Sequence, residues 1–154
     1  MTNRSRWAGV LLLVFALVFA ATTPALAQQR PPAGRIKLAS GAAVVVRDGK
    51  SIPARAGQVL LEADALRTGA DGRLGITLKD DTRVSLGPGS EVRLERFVYA
   101  PAEGSLALAL KFVRGAAAYV SGRIAKLAPD SIRLETPAAI IGVRGTTLAI
   151  RVQS

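Results

Sequence analysis

Glu62 with Asp64, and Asp80 with Asp81, are the carboxylate pairs whose spacing invites a catalytic reading. Glu62 and Asp64 are two apart, which on a strand puts both on one face. A glycosidase needs two such groups at a defined separation across a sugar-sized cleft. Nothing in the surrounding pattern indicates a cleft, and acids beside turn residues ordinarily bond their own backbone. Serine chemistry fares no better. The chain contains no histidine, so Ser85, Ser90 and Ser121 are left with Lys126 as a base, without a motif behind the pairing. Cysteine is absent as well, which removes thiolate sites and disulfides. Asp71, Asp80 and Asp81 offer hard oxygens to calcium, but not in the Asp-x-Asp-x-Asp spacing a binding loop uses. The expectation is a protein that is not an enzyme, with no catalytic residue, no metal and no cofactor.

Arg144 is the other residue whose setting is chemically pointed. It lies in Thr136–Thr147, TPAAIIGVRGTT, where Gly142 and Gly145 bracket Val143 and Arg144. Pro137 permits a strand to begin after it but not to run through it. Ile140 and Ile141 are adjacent β-branched residues, so in a strand they point to opposite faces and predict cover on both sides. Glycine supplies positive φ or a close backbone approach, so the segment reads as strand, kinked corner, strand. Beyond the corner, Thr146, Leu148, Ile150 and Val152 share one strand face and Thr147, Ala149 and Arg151 the other. An arginine held this way either reaches a partner's carboxylate or phosphate in bidentate fashion, or restrains its own loop. The preferred reading is restraint, through loop carbonyls or a pair with Glu135 or Asp64. The candidate motif residues are Gly142, Val143, Arg144, Gly145 and Thr146.

The run TP-AAIIGVRGTTL resembles the signature near the end of the FecR domain, a periplasmic module named after a ferric-citrate signalling regulator. GQVLLEADALRTGADGRLGITLKDDTRVSLGPGSEVRL, from Gly57 to Leu94, resembles the earlier part of the same domain. Together they cover roughly Gly41 to Val152. The resemblance implies a receiver of signals by protein contact. In the regulators that give the domain its name, a cytoplasmic anti-sigma segment and a membrane helix come first. Here at most six residues precede the apolar stretch, so the expectation is a stand-alone exported domain with no anti-sigma arm of its own. Where the family usually reads Asp-Gly this chain has Asp80-Asp81, which weakens a tight type I′ turn.

Export is read from the N-terminus. Arg4 and Arg6 open it, Ala8 to Ala21 is continuously apolar, and Ala25-Leu26-Ala27 supplies a small-x-small site. Residues 1–27 are therefore expected to be a signal peptide, 28–34 (QQRPPAG from Gln28) a linker, and 35–154 a single domain. An uncleaved N-terminal anchor is the alternative, since Trp7 to Ala27 approaches the ~20 residues a membrane helix needs. The expected location is the periplasm. Removing Arg4 and Arg6 from the 21 basic residues leaves a chain still strongly basic against 11 acids. Export makes nucleic acid a poor partner for that charge. Arg83, Arg93, Arg123, Arg133 and Arg151 stand singly between apolar residues, as on a solvated strand face; attraction to lipid head groups or acidic polysaccharide is the alternative.

From Ala42 onward the period is two, not 3.6. Ala42–Val46 turns at Asp48-Gly49, a hairpin signal. Val59, Leu61 and Leu66 follow with Asp64 between them. Leu74, Ile76 and Leu78 then alternate, Asp80-Asp81 turns the chain, and Val84 and Leu86 return. Gly87 to Ser90 turns it again into Val92 and Leu94; after Pro101 come Leu106, Leu108, Leu110 and Phe112, then Gly115, then Ala116 to Val120. Only Ile124 to Leu127 suggests a helical turn. The fold class is all-β. Short strands with glycine at the corners favour a solenoid-like β roll, with a β-sandwich as the alternative. The strand ending near Val152 presents an edge, expected either to pair with Leu106–Val113 or to be completed by another chain, possible self-association included. Phe97, Tyr99, Phe112 and Tyr119 read as core cover. The functional expectation is a signalling or regulatory module contacting a periplasmic or membrane-anchored protein; the alternative is a glycan- or peptidoglycan-binding or scaffolding module, which needs exposed aromatic faces.

Overall fold

Pro32 begins the first strand, β1 (Pro32–Ser40), in a computed structural model that describes residues 30–153. Proline lacks a donor and is tolerated as the first residue of a strand. Ala33 and Gly34 are buried, so the linker expected over 28–34 gives way to folded chain at Pro32. Residues 1–29, with the expected signal peptide and the start of that linker, lie outside the described residues, as does Ser154.

The hairpin read at Asp48-Gly49 is present. It joins β2 (Ala43–Arg47) to β3 (Lys50–Pro53). Asp48 and Gly49 have φ of 51° and 76°, the paired positive values of a type I′ turn. Next come β4 (Val59–Leu61) and β5 (Ala65–Thr68). Here Leu60, not Val59 or Leu61, enters the core. Glu62 and Asp64 fall in the turn between these strands, not on a strand face. β6 (Arg73–Leu78) and β7 (Arg83–Leu86) alternate inward and outward as their sequence does. In the turn between them Asp81 adopts φ 68°, so an aspartate occupies a left-handed position that ordinarily favours glycine.

β8 (Glu91–Ala100) pairs with β9 (Ser105–Val120). The two runs read on either side of Gly115 are one strand, bent where Gly115 takes φ 81°. Ahead of the bend β9 lies between β8 and β10 (Ile132–Glu135); beyond it β9 lies between β7 and β12 (Thr147–Val152). A short helix, α1 (Ile124–Leu127), follows β9, and β11 (Ile140–Ile141) pairs with β10.

The result is all-β: one twelve-stranded sheet curled on itself, with β9 shared by both halves. Among the described residues only β9–β10 is a parallel ladder. Hairpin pairing, not stacking of successive coils, therefore makes most of the sheet. The inner faces meet in one core, where Leu74, Ile76 and Tyr119 from one half join Leu94, Leu110 and Phe112 from the other. β12 pairs with Gly115–Val120, not with Leu106–Val113; the bend at Gly115 carries that end of β9 away from β10 and opens a place beside it.

Candidate functional site

The corner around Arg144 is built from two clasps and one anchor. Thr136 closes the turn ahead of β11: its N–H donates to Ala139 O at 2.9 Å, and Ala139 N–H donates to Thr136 Oγ1 at 3.0 Å. Ser121, just past β9, makes the second clasp. Its N–H and its hydroxyl donate to Thr146 O at 3.1 and 3.0 Å, and Thr146 N–H donates back to Ser121 Oγ at 3.0 Å. Between the clasps Val143 is only 3% exposed and packs into the core. Gly145 takes the positive φ expected of it, 61°, whereas Gly142 does not need one.

Val143 in means Arg144 out. The Arg144 side chain is 83% exposed, and its nearest carboxylate, Asp130, is 3.9 Å away and more exposed still. Among the described residues its guanidinium bonds no loop carbonyl and neither Glu135 nor Asp64, the contacts expected of a restraint. The acids named as its partners are occupied: Glu135 pairs with Arg133, and Asp64 with Arg47 at 2.7 Å. Ile140 corrects an expectation. It is 65% exposed, because a two-residue strand at the rim of the sheet has nothing packed over its outer side. Pro137, Ala138 and Ala139 are exposed beside it. The corner thus presents an aliphatic side chain and an exposed guanidinium, loosely paired with Asp130, on a backbone tied at both ends.

The platform beneath it is polar and buried. Asp80 is fully buried. Its carboxylate accepts from Thr82 N at 3.1 Å, Thr82 Oγ1 at 2.7 Å and Ile124 N at 3.4 Å, while Thr82 Oγ1 accepts from Gly122 N at 3.1 Å. Gly122 adjoins Ser121, so the β6–β7 turn holds the end of β9 that in turn holds Thr146. Nearby, burial raises the Tyr119 phenol above its ordinary value. Among the described residues its oxygen has no hydrogen-bond partner, although the Ser121 and Thr82 hydroxyls lie close to it.

Most of the carboxylates weighed for chemistry accept from backbone donors. Glu62 accepts from Phe97 N at 2.9 Å, Asp71 from Ala42 N at 3.2 Å, and Asp64 from Leu61 N at 2.8 Å besides Arg47. The bonds to Asp64 hold the Arg47 guanidinium above its usual value. Asp81 pairs with Arg123 at the surface. The exposure of Ile140 was missed in the sequence because adjacent β-branched residues give no sign of how short their strand will be. Among the described residues no helix is long and apolar enough to cross a membrane.

Comparison with known proteins adds one match. The family described as FecR protein matches residues 64–154, which include β5 to β12 and the whole corner. No curated protein and no solved structure matches the chain.

Proposed function

This chain belongs to the FecR family, and from that premise we propose that it is a non-enzymatic regulatory module of the periplasm that docks another protein through the Arg144 corner. One observation carries the reading: Ile140 and Arg144 project from a backbone held by Thr136, Ser121 and the buried Val143. A fixed loop gives up little conformational freedom when a partner binds. Arginine is also among the residues enriched where protein interfaces are anchored. Of the carboxylates weighed for hydrolysis, Glu62, Asp64 and Asp80 are committed to backbone donors and Asp81 to Arg123, which supports recognition over turnover. A glycan reading would need flat exposed aromatics, whereas Phe97, Phe112 and Tyr119 lie in the core.

Photo-crosslinking tests this. An activatable residue at position 140, in cells that make the protein, should give a discrete adduct with an envelope protein. The same residue at Lys50, exposed on β3, should not. Equal labelling from both positions, or none from 140, would count against the corner.

A further inference from the structure

Glu91, at the start of β8, is 7% exposed in its side chain and is ringed by three arginines from three strands. Arg67 of β5 approaches at 3.1 Å, Arg93 of β8 at 3.2 Å and Arg114 of β9 at 3.7 Å. One carboxylate cannot neutralise three guanidiniums. It can fix them in place, with 40%, 48% and 49% of their respective side chains left exposed. The strand register continues the basic surface. Arg93 lies opposite Lys111, and Arg96 opposite Ala109, which lies opposite Arg133 on β10. Neighbouring strands are about 4.8 Å apart, so Arg67, Arg93, Arg96, Lys111, Arg114 and Arg133 share one continuous outer face. Four carboxylates, Glu91, Glu95, Asp130 and Glu135, lie among them.

A shallow groove crosses this face. Ala107 and Ala109 floor it, and Arg96, Asp130, Ser131 and Arg133 stand at its sides. Asp130 is also the acid nearest to Arg144. The arginine face and the corner are therefore contiguous.

We infer that this face of β5, β8, β9 and β10 is the docking surface for an acidic, carboxylate-rich segment of a partner protein. The inference rests on the protein-contact reading above and gives that partner its chemistry. Charge complementarity is the first argument, since the face carries six cations against four acids. The cation type is the second: five of the six are arginine, which is enriched in protein interfaces where lysine is depleted. Its planar fork fits a carboxylate by two parallel hydrogen bonds. The third is the buried glutamate. By holding Arg67, Arg93 and Arg114 in advance, Glu91 lowers the cost of ordering long side chains on binding.

The test uses the folded domain and a synthetic ten-residue polyglutamate peptide, with titration followed by fluorescence anisotropy. The double variant Arg96→Gln/Arg133→Gln leaves the Glu91 cluster intact and should weaken binding by about tenfold, the loss expected from one good charge-assisted pair. Arg83→Gln/Arg151→Gln removes the same charge from the other half of the sheet and should change affinity less than about twofold. Glu91→Gln makes the face more positive yet should weaken binding, because it releases the arginines; if binding tightens, held geometry is not what matters. Equal loss in the two double variants would overturn the proposal, leaving only nonspecific attraction. So would tighter binding to polygalacturonate, or to phosphatidylglycerol vesicles, than to the peptide. A discrete crosslink from position 140 with no peptide affinity would sink this inference alone, and peptide affinity with no crosslink would sink the corner alone.

Discussion

Asp80 and Arg144 show how one chain separates charges that hold from charges that reach. Asp80 is enclosed and spends its oxygens on three donors from two segments. Asp80→Ala should cost about 2–4 kcal/mol, because it leaves buried N–H groups unpaired; urea unfolding measures it, and a loss below about 1 kcal/mol would mean the clasp is dispensable. Tyr119 gives a pH signature. Its pKa is raised in the folded state, so the contribution of its burial is fully present below the unfolded value of about 10. It is lost as pH rises from there through the higher folded value. Tyr119→Phe should therefore lessen the alkaline loss of stability, as thermal melts between pH 8 and 11 would show. Parallel curves for the two proteins would contradict the sign.

β9 is the element on which the architecture turns. Its bend at Gly115 lets one strand serve both halves of the sheet, with β10 beside its first part and β12 beside its last. At Gly115 φ is 81°, and a Cβ there would collide with Ser90. Gly115→Ala should destabilise by about 2 kcal/mol or more, since left-handed backbone strain and a steric clash act together; an unchanged denaturation midpoint would show that the bend is not needed. The strands themselves were legible where one face meets the core and the other meets water, as at Leu74-Ile76-Leu78. Legibility failed where pairing, not pattern, decides. Leu106–Phe112 and Ala116–Val120 read as two strands because a glycine in a strand signals a corner as readily as a bend. For the same reason, of the two expectations for β12, internal pairing is the one seen, but with Gly115–Val120 in place of Leu106–Val113. At Val59–Leu61 the sequence points to Val59 and Leu61, but three consecutive apolar residues fit either register and Leu60 is the one that enters the core.

For the molecule as a whole, the sequence made the corner's position plain and its wiring opaque. Gly145 and the alternation after it pointed to a kinked turn before a strand, and both are present. Which side chain enters the core was not encoded locally: Val143 goes in because β12 draws the loop across the end of β9, and Arg144 is consequently turned outward. The acids expected to pair with it are taken by other arginines: Glu135 by Arg133, two residues away on the same strand, and Asp64 by Arg47, which only the fold brings near. The Glu91 cluster was similarly invisible, since its four members are drawn from residues 67 to 114 and meet only across three strands. A sheet stabilised through its interior, with arginines spread over its outer face and one braced corner, is suited to recognition. The decisive measurement is a paired one on Arg144→Ala: its thermal unfolding beside its crosslinking yield from position 140. The account predicts stability within about 0.5 kcal/mol of the unsubstituted protein, as for an exposed side chain, together with loss of the adduct. A clearly lower melting temperature with the adduct retained would make Arg144 a structural restraint and contradict the central claim.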